Sequence, residues 1–178
     1  GKDWNIKDAP EDSAVVFCSN WIPATVPGNI QADLEAARLL KPLWYGGGDK
    51  RLYDVAKNDW HYRKEFRVPD EFSGKRIRLI FDGVDNACEV WLNGKKIGSN
   101  PNMFRRFEFD VAGVLKIGET NRLDVRIAGI PAVLEPYIEK SDGKLSGYPG
   151  DWWFVNGMEK TIETIKDLKS ATTFGYDW

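Results

Sequence analysis

From Trp60 onward, apolar and polar residues alternate in short runs broken by turn residues, the period-two pattern of strands with one buried face. The pattern predicts strands at 60–68, 76–82, 87–92, 104–111 and 121–127. In the second of these Ile77, Leu79 and Phe81 share a face, with Ile80 the exception. In the fourth, Phe107, Phe109 and Val111 face one way, Glu108 and Asp110 the other. Within 89–98, Asn93-Gly94 supplies two residues tolerant of positive φ between alternating runs, so a tight type I′ hairpin is expected.

Before Trp60 the period changes. Ile30, Leu34, Ala37 and Leu40 recur at helical spacing, Asn29 is placed to cap and Pro42 to stop, so a helix over 29–40 is expected. Weaker strand-like pieces lie at 4–6 and 15–18. Gly46-Gly47-Gly48-Asp49 lacks the Gly-Lys-Ser/Thr ending of a phosphate cradle and reads as a surface loop. From 131 to 169 the strand signal fades, turn residues mark loops before Trp152-Trp153-Phe154, and 158–169 is open between helix and strand entry. Short strands at roughly ten-residue spacing with little helix predict a mainly β protein. The expected architecture is an antiparallel β-sandwich or jelly roll with one or two short helices.

At 178 residues the chain suits a single domain, 1–178, large enough for a core without disulfides. Cys18 and Cys88 form no framework, and whether they pair is left open. A net charge of −2 with both signs interspersed argues against nucleic acid or an anionic membrane as partner. No apolar run is long enough to span a bilayer. The chain starts with Gly rather than Met, so the expected location is soluble: periplasmic or secreted if a signal has been removed, otherwise undetermined.

The lone histidine, His61, has no nucleophile-elbow sequence beside it, and two distant cysteines with one histidine lack zinc-site spacing. Asp82 with Asp85, and Glu108 with Asp110, are the nearest carboxylate pairs. Both read as solvated surface groups, and Asp82, Asp85 and Asn86 lack the ligand alternation of a calcium loop. Asp177 differs, standing between Tyr176 and Trp178 after Gly175. A carboxylate can accept sugar hydroxyls while a ring covers the C–H face; equally, the rings can be core and Asp177 a turn cap.

Several motifs, in order, are Val26-Pro27-Gly28, Asp33-Leu34, Trp44-Tyr45-Gly46, 59–66 (Asp-Trp-His-Tyr-Arg-Lys-Glu-Phe), Asp82-Gly83-Val84-Asp85, Val90-Trp91-Leu92-Asn93-Gly94, 107–111, Asn121-Arg122-Leu123 and Phe174-Gly175-Tyr176-Asp177-Trp178. Together they resemble the N-terminal sugar-binding domain of glycoside hydrolase family 2, and within it the β-mannosidase branch. The resemblance implies a galactose-binding-like sandwich preceding immunoglobulin-like domains and a (β/α)₈ barrel that carries both catalytic glutamates. It implies no catalytic residue and no cofactor or metal within these residues. The implied substrate contacts are Asp177 and Trp178, with Asn58 placed like a sugar-contacting asparagine of β-galactosidases. The implied partners are a β-linked terminal sugar and the barrel of the same protein. Two departures bear on specificity: Tyr176 replaces the usual Trp, and Leu168-Lys169 retains only the lysine of an Arg-Lys pair. Open alternatives are a free-standing carbohydrate-binding module, the same domain of a β-galactosidase- or β-glucosaminidase-type enzyme, and a purely structural brace.

Overall fold

The computed structural model describes residues 3–9, 18–41, 55–56, 58–85 and 87–129. The features expected at 15–17, 46–49, 152–154 and 158–169 lie outside them. So do Asp177 and Trp178.

Among the described residues eight strands form: β1 (Trp4–Ala9), β2 (Ile22–Ala24), β3 (Asp59–Arg67), β4 (Arg78–Phe81), β5 (Cys88–Leu92), β6 (Lys95–Asn100), β7 (Phe107–Asp110) and β8 (Thr120–Ile127). Six make an antiparallel sheet in the order β2-β1-β3-β8-β5-β6, and β4 pairs with β7 in a second antiparallel sheet. One helix, α1 (Ile30–Ala36), and a 3₁₀ turn (Asp70–Phe72) complete the described elements. This is the mainly antiparallel sandwich that the alternation predicts.

The inward residues of the large sheet are apolar. Ile6, Trp60, Tyr62, Val90, Leu123 and Val125 are buried with Leu34 of α1 and with Leu40. Trp60, 2% exposed, satisfies its indole by donating from Nε1 to the Val55 carbonyl at 2.8 Å. From the second sheet Phe81 stacks on Phe107 with centroids 4.8 Å apart, and Phe109 meets both edge-on. Gly98 on β6 lets the sheets close here: a Cβ on it would lie 2.2 Å from Cε1 of Phe109. Cys18 and Cys88 are both buried and are not joined to each other by a disulfide.

The hairpin forms as expected, with Asn93 and Gly94 at φ 53° and 80°, and Ile97 as an extra residue opposite the Val90/Trp91 step. The Asn93 side chain also ties the turn to the β7–β8 connection. Its Nδ2 donates to the Val114 carbonyl and to Oδ1 of Asn121, while its Oδ1 accepts from the Arg122 amide. Asn121, fully buried, bonds in turn to the Lys116 and Glu119 backbone.

Three expectations about element length are corrected. The helix stops at Ala36 rather than Leu40 because Arg38 takes a left-handed conformation (φ 61°) and the Leu39 and Leu40 amides close back on the Leu34 carbonyl. β4 begins at Arg78, not Arg76. β7 begins at Phe107, since 101–106 is a loop and Phe104 is 87% exposed.

Candidate functional site

The registers bring four chain segments to one end of the large sheet. Trp60 faces Ile127, Ile127 faces Cys88, and Cys88 faces Asn100. Asn58, Gly129, Ala87 and the 101–106 loop therefore lie side by side there. With strands ~4.8 Å apart, Asn58 and Asn100 stand about 14 Å from each other across this end.

Asn58, the described member of the expected contact set, is 2% exposed, and Asn100 is 5% exposed. Asn100 directs Nδ2 to the Asn102 carbonyl at 2.6 Å, and its amide lies against the Cys88 thiol. Burial pushes that thiol's pKa up, the Asn100 backbone amide opposing and Glu89 adding to the effect, in keeping with a thiol packed in the core.

Next to Asn58, Asp59 clamps the point where β8 leaves the sheet. Its Oδ1 accepts from the Gly129 amide at 2.7 Å, and its Oδ2 from Nε of Arg126 at 2.8 Å and from Nη2 of the same guanidinium. Arg126 reaches Glu89 through Nη1 at 3.0 Å, and Glu89 pairs with Lys96. Burial works against the Arg126 charge, but the hydrogen bonds it donates to Asp59 and Glu89, with their negative charges, outweigh it and hold its pKa above the usual value. The Lys96 hydrogen bond is the main reason Glu89 stays below the ordinary carboxylate range. The Ala128 amide donates to the Ala87 carbonyl, so the strand exit is fixed on both sides.

The other candidates fall elsewhere. His61 sits half-buried on the outer face of β3; burial lowers its pKa, Lys7 and Arg126 adding to the shift and Asp59 and Asp124 opposing it. Asp82 has a 94% exposed side chain near Arg106. Glu108 pairs with Arg78 and Asp110 with Arg76 on the outward face of the second sheet, which matches their reading as surface carboxylates. Among the described residues no three His, Cys, Asp or Glu side chains gather where they could hold a metal ion.

Sequence reasoning missed the Asp59–Arg126–Glu89 cluster and Asn100. The signal was there in part: all three charged residues occupy outward positions of alternating strands. Their meeting depends on pairing across 67 and 37 residues.

Comparison with known proteins adds the family. Residues 4–178 match the model described as glycosyl hydrolase 2 galactose-binding domain-like. The β-mannosidase of Rattus norvegicus is 36% identical over 106 residues, 59% of this chain and 12% of that protein. Beta-mannosidase B of Aspergillus niger is 32% identical over 176 residues, covering 98% of this chain and 19% of that protein. The crystal structure of the β-D-mannosidase of Dictyoglomus thermophilum superposes with a TM-score of 0.67 at 37% identity, over 82% of this chain and 16% of that one. The chain thus spans less than a fifth of the length of each.

Proposed function

The chain belongs to the glycosyl hydrolase 2 galactose-binding-like family and is a domain of the β-mannosidase-like kind; from that premise we propose that it is the N-terminal sugar-binding domain of a retaining exo-β-glycosidase. The barrel that hydrolyses the O-glycosidic bond lies downstream, and this domain supplies part of the terminal-sugar subsite. The observation that carries the reading is that the family match runs through residue 178 and so includes Phe174-Gly175-Tyr176-Asp177-Trp178.

In this reading Asp177 accepts hydrogen bonds from hydroxyls of a β-linked terminal sugar, and Trp178 covers an apolar C–H face. Asn58 contributes an amide. The acid and nucleophile belong to the barrel, where retaining cleavage requires two carboxyl groups about 5 Å apart. No cofactor is needed for that chemistry. The domain alone therefore hydrolyses nothing.

Two assays test this together. The full-length parent protein should turn over an aryl β-mannoside, whereas the 178-residue chain should not. Titrating the chain with manno-oligosaccharides should give no saturable binding, because half a subsite is present. Turnover by the chain alone would overturn the proposal, and clear saturable binding would favour a free-standing carbohydrate-binding module.

A further inference from the structure

The loop 101–106 presents one large apolar side chain to solvent and holds it there. Phe104 is 87% exposed, the most exposed large apolar residue among those described. A lone exposed phenylalanine needs no explanation on a pliable loop. This loop is braced. Asn102 accepts at Oδ1 from the Phe104 amide at 2.9 Å, and its carbonyl accepts from the Asn100 side chain at 2.6 Å and from the Arg105 amide at 3.3 Å. Underneath, Gly83 lies so close that a Cβ on it would be 3.3 Å from the Met103 carbonyl. Arg106 approaches Asp82 at 3.5 Å, and Phe107 is anchored by its stack on Phe81. Arg105 has no ion-pair partner among the described residues.

An aromatic ring followed by two arginines on a pre-ordered loop has the composition of an interface anchor: it gives up little conformational freedom on docking and carries a large apolar area. We propose that Phe104, with Arg105 beside it, docks the downstream part of the same protein onto this domain, in an apolar pocket edged by carboxylate. The inference rests on the reading above that a barrel follows. Length supplies the occupant: more than four fifths of each relative's chain lies outside the stretch matched here. Carbohydrate is the poorer fit, because both Asn102 oxygens beside the ring already accept within the loop.

The test uses the full-length parent protein carrying Phe104→Ser, Arg105→Glu or, as control, Ile80→Ser, which alters an apolar residue 44% exposed on β4. Limited proteolysis between this domain and the rest is followed beside hydrolysis of an aryl β-mannoside. Both loop variants should be cleaved about tenfold faster or more, the scale of losing an interface anchor, with Ile80→Ser at the parental rate. Parental cleavage of Phe104→Ser, or equal acceleration in Ile80→Ser, would overturn the docking role. So would a raised KM for manno-oligosaccharides with unchanged cleavage, which would make the ring a ligand contact. A parent protein that hydrolyses nothing would instead remove the functional reading, whatever the cleavage rates.

Discussion

Asp33 is a carboxylate the fold holds at a cost. It is 6% exposed; Oδ1 accepts from the Thr25 amide at 3.0 Å, while Oδ2 is buried without a hydrogen bond. Burial raises its pKa, partly offset by the Thr25 bond. A carboxyl whose pKa is higher folded than unfolded destabilises the fold once it is ionised, and that penalty fades as pH falls through the folded value. Asp33→Asn keeps an acceptor for Thr25 and removes the charge, so the variant should melt higher than the parent at pH 7. The gap should narrow as pH is lowered toward 4. Thermal unfolding across that range checks it, and parallel curves would refute it. Gly98 makes a second residue-scale prediction. Gly98→Ala drives a methyl into the Phe109 ring and should cost about 1–3 kcal/mol in a denaturant titration. Neither feature shows in the hydrophobic pattern: Asp33 adjoins the core residue Leu34, and the partner of Gly98 comes from the other sheet.

Among the elements, the hairpin at Asn93-Gly94 is both the most legible and the most tied down. Its turn type follows from two residues, but its attachment does not. Asn93→Gly preserves the positive φ while deleting three side-chain hydrogen bonds and stripping a partner from buried Asn121. It should cost about 1–3 kcal/mol, the scale of three hydrogen bonds worth about 0.5–1.5 kcal/mol each and not fully additive; a loss near zero would show that the side-chain network is incidental. Strand positions were readable because a half-buried strand writes its burial into a period of two. Ends were not, because they are set by tertiary contacts: Arg38 ends α1 where the periodicity still runs on to Leu40, and the Asn102 hydrogen bonds keep 101–106 out of β7 despite its apolar residues.

At the scale of the whole molecule, the strand order gathers Asn58, Asn100, the 101–106 loop and the exit of β8 at one end of the sheet, with Asp59 and Arg126 fixing that exit. That gathering was invisible in sequence, since each member is ordinary where it stands and the contacts join distant segments. The family was legible from the order of its motifs, which is information periodicity does not carry. The proposed sugar contacts at Asp177 and Trp178 rest on that order. They, rather than Asn58, carry the central claim.

The most direct test of it is kcat/KM of the full-length protein for an aryl β-mannoside with Asp177→Ala. If the carboxylate holds the terminal sugar, the value should fall about 10- to 100-fold, the worth of a hydrogen bond to a charged group, with thermal unfolding unchanged. A value equal to the parent's would remove Asp177 from the subsite and contradict the account.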